Sequence, residues 1–127
     1  MGNRVHVVRK MRQYGDTEAF NWHAEEFANF LNACDVEVCT LHKYDYSEFE
    51  VLVEEYKKAL DLVRELKNAK GGKEKMDKVF DKYNVEGEDV TECLETLGYT
   101  IEDMYKTMLA FYRERDKKFD WIQFISF

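Results

Sequence analysis

Apolar and polar residues alternate over four stretches of the chain and recur at helical spacing over five others. Between Arg4 and Met11 the valines at positions 5 and 7, with Val8 beside them, predict a strand. Val36 to His42 and Glu48 to Val53 alternate in the same way, and Lys43 to Ser47 between them suits a hairpin connection. The closing run, Trp121 to Phe127, predicts a fourth strand. An apolar strand left bare would template aggregation, so this one is expected inside the sheet, with the first strand as a candidate neighbour.

The helical stretches are better marked. Tyr14-Gly15-Asp16-Thr17 reads as a turn with Asp16 or Thr17 as the capping oxygen, opening a helix over about 18–33. Phe20, Ala24, Phe27, Leu31 and Cys34 fall on one stripe of it. Glu54 to Ala69 carries Tyr56, Leu60 and Val63 on its inner side, and Gly71 follows as a left-handed stop. Lys73 to Tyr83 is built around Met76, Val79 and Phe80, and Glu88 to Leu97 around Val90 and Leu94, ended by Gly98. Thr100 and Asp103 form a capping box for a last helix running to about Lys118, whose stripe includes Met104, Met108 and Phe111. The basic run from Arg113 to Lys118 suits the negative end of its dipole.

These elements predict one α+β domain over residues 1–127, a small, mostly antiparallel four-stranded sheet packed by about five helices in the order β-α-β-β-α-α-α-α-β. A chain of 127 residues with 45% hydrophobic and 15% aromatic positions can bury a core without disulfides or metals. No apolar run reaches the roughly 18–20 residues that span a bilayer, and no stretch has signal-peptide character, so a cytoplasmic location is expected. The three cysteines, Cys34, Cys39 and Cys93, then read as reduced thiols.

Charge changes the picture more than composition does. The net charge of −7 is divided into blocks: residues 14–56 hold eleven acids against Lys43 alone, and residues 83–105 hold seven acids and no base. Bases dominate 1–13 and 57–82. Charged faces commonly serve solubility alone, yet two acidic blocks also make a negative surface for a basic partner. Trp22 stands opposite the apolar stripe of its predicted helix, near Glu18, Glu25 and Glu26, which gives an aromatic anchor ringed by acids. Glu86, Glu88 and Asp89 mark the second block.

Recognisable chemistry is scarce. Cys34, Cys39 and His42 have the one metal-like spacing, but an odd separation within a strand sends Cys39 and His42 to opposite faces. Asp81 and Glu92 are spaced as first and last calcium ligands, while Tyr83 and Val85 fill ligand positions between them and Glu86 replaces the required glycine. Only Ser47 and Ser126 exist as serines, and neither sits in a nucleophile motif. Gly71-Gly72-Lys73 lacks the spacing of a phosphate loop. A helix-turn-helix reading of 90–105 would present Glu102 and Asp103 to phosphate, so direct nucleic-acid binding is not expected. No cofactor or metal is expected either.

Asn3-Arg4-Val5-His6-Val7-Val8, Tyr14 to Trp22 and the closing Trp121-Ile122-Gln123-Phe124 resemble small phage and mobile-element proteins to which no activity is assigned. The resemblance implies a protein that binds and blocks a host or defence protein. The bases within 57–82 and 106–118 depart from a continuous nucleic-acid-like charge track. The leading expectation is therefore a non-catalytic acidic protein that binds a basic protein partner through Trp22, Glu25, Glu26, Glu86, Glu88 and Asp89, and inhibits or regulates it. A homodimer is compatible with this. The second expectation is a small-molecule or nucleotide binder using bases such as Arg4, Arg9, Arg113 and Arg115; an enzyme of unspecified type is the third.

Overall fold

The computed structural model describes residues 5–9, 12–20, 23–42, 45–69 and 71–126. Along the chain lie β1 (Val5–Arg9), β2 (Arg12–Ala19), α1 (Ala24–Ala33), β3 (Cys39–His42) and β4 (Asp45–Leu52). Four consecutive helices follow, α2 (Val53–Asn68), α3 (Lys73–Tyr83), α4 (Gly87–Leu97) and α5 (Ile101–Glu114), and the chain returns as β5 (Trp121–Ser126). The fold is α+β. Its strands form one sheet in the order β2-β1-β5-β4-β3, with every neighbouring pair antiparallel.

β5 lies between β1 and β4, so the closing apolar run has a partner on each side. Its pleat decides what it buries: Ile122 and Phe124 are buried and Trp121 is exposed. Phe49 and Val51 of β4 share the inner face, since Phe49 pairs with Phe124 and Val51 with Ile122. The helices supply the other half of the core. Phe27, Phe30 and Leu31 of α1, Tyr56, Leu62 and Leu66 of α2, and Met104, Met108 and Phe111 of α5 are all buried. Phe124 is the hub, with ring centroids 5.1 Å from Phe49, 5.2 Å from Phe111 and 5.7 Å from Phe27. The buried Tyr56 hydroxyl, which would otherwise lose its water at a cost, donates to the Met108 carbonyl at 2.7 Å and ties α2 to α5.

The expectation of four strands is corrected to five. Residues 12–19, read from sequence as a turn and a helix start, form β2. Arg12 and Gln13 pair with Arg9 and Val8 at one end of β2, and Glu18 and Ala19 with His6 and Val5 at the other, so Gly15 and Asp16 lie in the stretch between the two paired ends. A register shift between His6 and Val8 absorbs the irregularity. The first helix consequently starts at Ala24 rather than near Glu18. Phe20 stands outside it, with φ of 58°, and still reaches the core by stacking on Phe27 at 4.2 Å. The last helix ends at Glu114, four residues before the expected stop. Beyond it the Arg115 guanidinium folds back over the Tyr112 ring at 3.9 Å. The predicted capping box is present: the Asp103 amide donates to Thr100 Oγ1 at 3.1 Å and the Thr100 amide to Asp103 Oδ2 at 3.4 Å.

Candidate functional site: an acidic cleft between two helices

α3 and α4 follow one another through a three-residue loop, 84–86, yet each leans on a different neighbour. α3 packs on α2, and α4 packs on α1. The reason lies in their stripes. Val90, Leu94 and Leu97 of α4 are buried, while α3 buries only Phe80 and is held to α2 by Lys82 and Tyr83, both of which donate to Glu65. Asn84 in the left-handed region, φ 55°, turns the chain at the end of α3. At the vertex the helices come so close that a Cβ on Gly87 would lie 2.6 Å from the Phe80 ring. Residues of both helices and of 71–73 line an open cleft of about 1390 Å³.

Met76, Phe80 and Val85 supply the apolar lining of this cleft. Six exposed carboxylates line it as well: Asp77 and Asp81 from α3, Glu86 from the loop, and Glu88, Glu92 and Glu95 from α4. Lys73 is the single basic lining residue. The helical period sorts the charge. Asp77 and Asp81 share one side of α3, and the exposed Lys75, Lys78 and Lys82 take other positions on it. Glu88, Glu92 and Glu95 are spaced i, i+4, i+7 along α4. Among the described residues, no lysine or arginine forms an ion pair with any of the six carboxylates, whereas Lys82 pairs with Glu65 and Lys57 with Asp61.

Helix stability explains only part of this acidity. Glu88 and Asp89 lie in the first turn of α4, where they favour the positive end of the helix dipole. Asp81 and Glu95 lie near the C-terminal ends of α3 and α4, where the dipole disfavours a negative charge. Their presence there has no local structural benefit.

Glu86 and Glu88 thus line the cleft, and Asp89 is exposed in the same turn as Glu88. Glu25 and Glu26 belong to the first turn of α1, and Glu26 Oε1 lies 3.5 Å from His23 Nδ1. Trp22 lies outside the described residues, as does Arg4. Asp77 and Glu95 were not singled out from the sequence, and Asp81 and Glu92 were considered there only for their calcium-like spacing. The signal was available, because each pair is spaced i, i+3 or i+4 on one helical side, but nothing in the sequence says that those sides face each other.

The remaining titratable groups have structural settings. Hydrogen bonds from Lys82 and Tyr83 hold the Glu65 carboxyl below its ordinary value, and burial together with the bond to Glu65 pushes the Tyr83 phenol up to about 12. Burial raises the thiols of Cys34, Cys39 and Cys93, which are free and held away from the reactive thiolate. A smaller recess of about 500 Å³ is lined by Asp35, Glu37, Glu55 and Lys58, where Glu55 Oε1 accepts the Glu37 amide at 2.7 Å. Among the described residues no three His, Cys, Asp or Glu side chains gather as a metal site, and no helix is long and apolar enough to cross a membrane. Comparison with known proteins finds no matching family, no matching curated protein and no matching solved structure.

Proposed function

We propose that this is a non-catalytic docking protein whose acidic α3–α4 cleft binds a basic segment of another protein and thereby inhibits or regulates it. The observation that carries this reading is the set of six exposed carboxylates around an apolar lining, free of internal ion pairs among the described residues. Charges left unpaired in this way remain available to an incoming cation, and they steer its approach over distances of about 8 Å at physiological salt. An apolar lining adds what charge alone lacks, a surface that gains by losing water. On the resemblance of the chain ends, the setting we attach is a phage- or mobile-element-encoded inhibitor of a host or defence protein, acting in the cytoplasm.

The test is charge reversal at positions that contribute nothing to the start of α4. The double variant Glu92→Lys, Glu95→Lys is compared with the parent for binding to a lysine- and arginine-rich protein or peptide by isothermal titration calorimetry at several salt concentrations. Binding weakened at least ten-fold, with a flatter salt dependence, is expected. Equal affinity and equal salt dependence would remove the cleft from the proposal. Glu25→Lys with Glu26→Lys serves as the parallel test of the α1 face.

A further inference from the structure

We infer that Cys34 and Cys93 form a redox clasp: under oxidising conditions they join in a disulfide that pins α4 to α1. This is independent of the docking role proposed above. Both cysteines are free thiols. Cys34 caps the C-terminal end of α1, where its amide donates to the carbonyls of Phe30 and Leu31 at 3.0 Å. Cys93 stands on α4 beside Leu94 and packs against the core that contains Cys34.

The packing of the two helices brings these thiols to one level. Phe20, just ahead of α1, stacks on Phe27 at 4.2 Å and meets the Tyr99 ring at 4.9 Å. The Tyr99 amide donates to the Leu94 carbonyl at 3.1 Å, so that ring marks the C-terminal end of α4. The end of α4 therefore lies beside the first half of α1. α4 packs on α1, and its Val90, Leu94 and Leu97 are buried along its length. A parallel pair would carry the start of α4 past the start of α1 and leave Val90 uncovered by it, so the two run antiparallel. Phe27 to Cys34 is seven residues and Tyr99 back to Cys93 is six. At 1.5 Å per residue these are steps of about 10 Å and about 9 Å in the same direction, and they end side by side. The neighbours of the thiols agree. Burial raises Cys34 and the charge of Cys93 adds to it, whereas the groups that act on Cys39 besides burial are Glu37, Glu50 and Glu55.

The oxidant is a low-molecular-weight disulfide such as oxidised glutathione. Cys93, the half-buried member, reacts first. Its thiolate bonds to one glutathione sulfur, and the other glutathione leaves as a thiolate. The Cys34 thiolate then attacks the Cys93 sulfur and expels the second glutathione. Two protein thiols are oxidised, one disulfide is reduced to two glutathiones, and the two thiol protons pass to the leaving thiolates. Burial keeps both cysteines protonated, so the clasp closes slowly and answers sustained oxidation rather than a brief pulse.

The experiment exposes the full chain to oxidised glutathione at about pH 8.5, near the ordinary thiol value, blocks the remaining thiols and maps the peptides by mass without reduction. A bond between Cys34 and Cys93 is expected in the parent and in Cys39→Ser. Amide exchange in α4 is expected to slow roughly ten-fold on oxidation, because the bond prevents α4 from opening away from α1. Cys93→Ser should leave Cys34 a free thiol; thermal unfolding verifies that this variant folds, and the map of the parent decides the pairing if it does not. Cys34 left free while Cys93 carries glutathione, or Cys34 bonded to Cys39, would overturn the pairing. A bond between Cys34 and Cys93 with exchange in α4 unchanged would overturn the clasp.

Discussion

Phe124 and Phe80 are both buried phenylalanines, but they hold very different parts of the molecule. Phe124 sits on a central strand, and the rings of Phe27, Phe49 and Phe111 reach it from one helix, a neighbouring strand and another helix. Phe80 is the single buried residue of α3 and closes against the bare backbone of Gly87. Around Phe124 the inner faces of β4, β5, α1 and α5 cover one another. Around Phe80 two helices are fixed at one end and held apart along their length, with their acids turned to the space between them. The contrast shows where this chain spends its apolar residues on stability and where it leaves a surface open.

The comparison can be tested from its strongest side downwards. Phe124→Ala should cost about 3–5 kcal/mol, the usual loss for a large ring in a packed core, and the loss should be global, lowering the denaturant midpoint for every probe together. Gly87→Ala forces a Cβ onto the Phe80 ring. A loss of about 1–3 kcal/mol is expected from such overpacking. It should appear locally, as faster amide exchange in α3 and α4 with protection retained in β4 and β5. Uniform loss of protection would mean that the two regions are one cooperative unit.

The smallest effect concerns the tie between α2 and α3. The Glu65 carboxyl is held below its ordinary value of 4.5 by the bonds from Lys82 and Tyr83. Its contribution is therefore complete above that value and fades as pH falls through the lower folded-state value. Glu65→Gln should lower stability modestly at neutral pH, leave it little changed in acid, and so flatten the acid limb of a stability-against-pH curve. An unaltered acid limb would show that α3 is held by packing of Val79 and Tyr83 rather than by the ionic tie.

The elements were legible wherever a long period repeats. The stripes of α2 and α5, the capping box of Thr100 and Asp103, and the strand from Trp121 stand where the alternation of residues places them. β2 was not legible, because Tyr14-Gly15-Asp16-Thr17 has the local chemistry of a turn, and the pairs that make the strand lie on either side of it, at Arg12 and Gln13 and at Glu18 and Ala19. The cleft was half legible. Glu86, Glu88 and Asp89 stood out as an acidic block, while Asp77 was lost in a segment whose net charge is positive and Asp81 drew notice only for its calcium-like spacing to Glu92.

What the sequence determined by itself is local: period, caps, and which side of each helix is apolar or acidic, since neighbours three and four apart are set by the helix alone. What only the tertiary structure decided is which sides meet. α3 rests on α2 and α4 on α1 because their apolar stripes find cover there, and the acidic sides of two successive helices are left facing one space. That outcome depends on contacts between residues distant along the chain, and no window of sequence contains them.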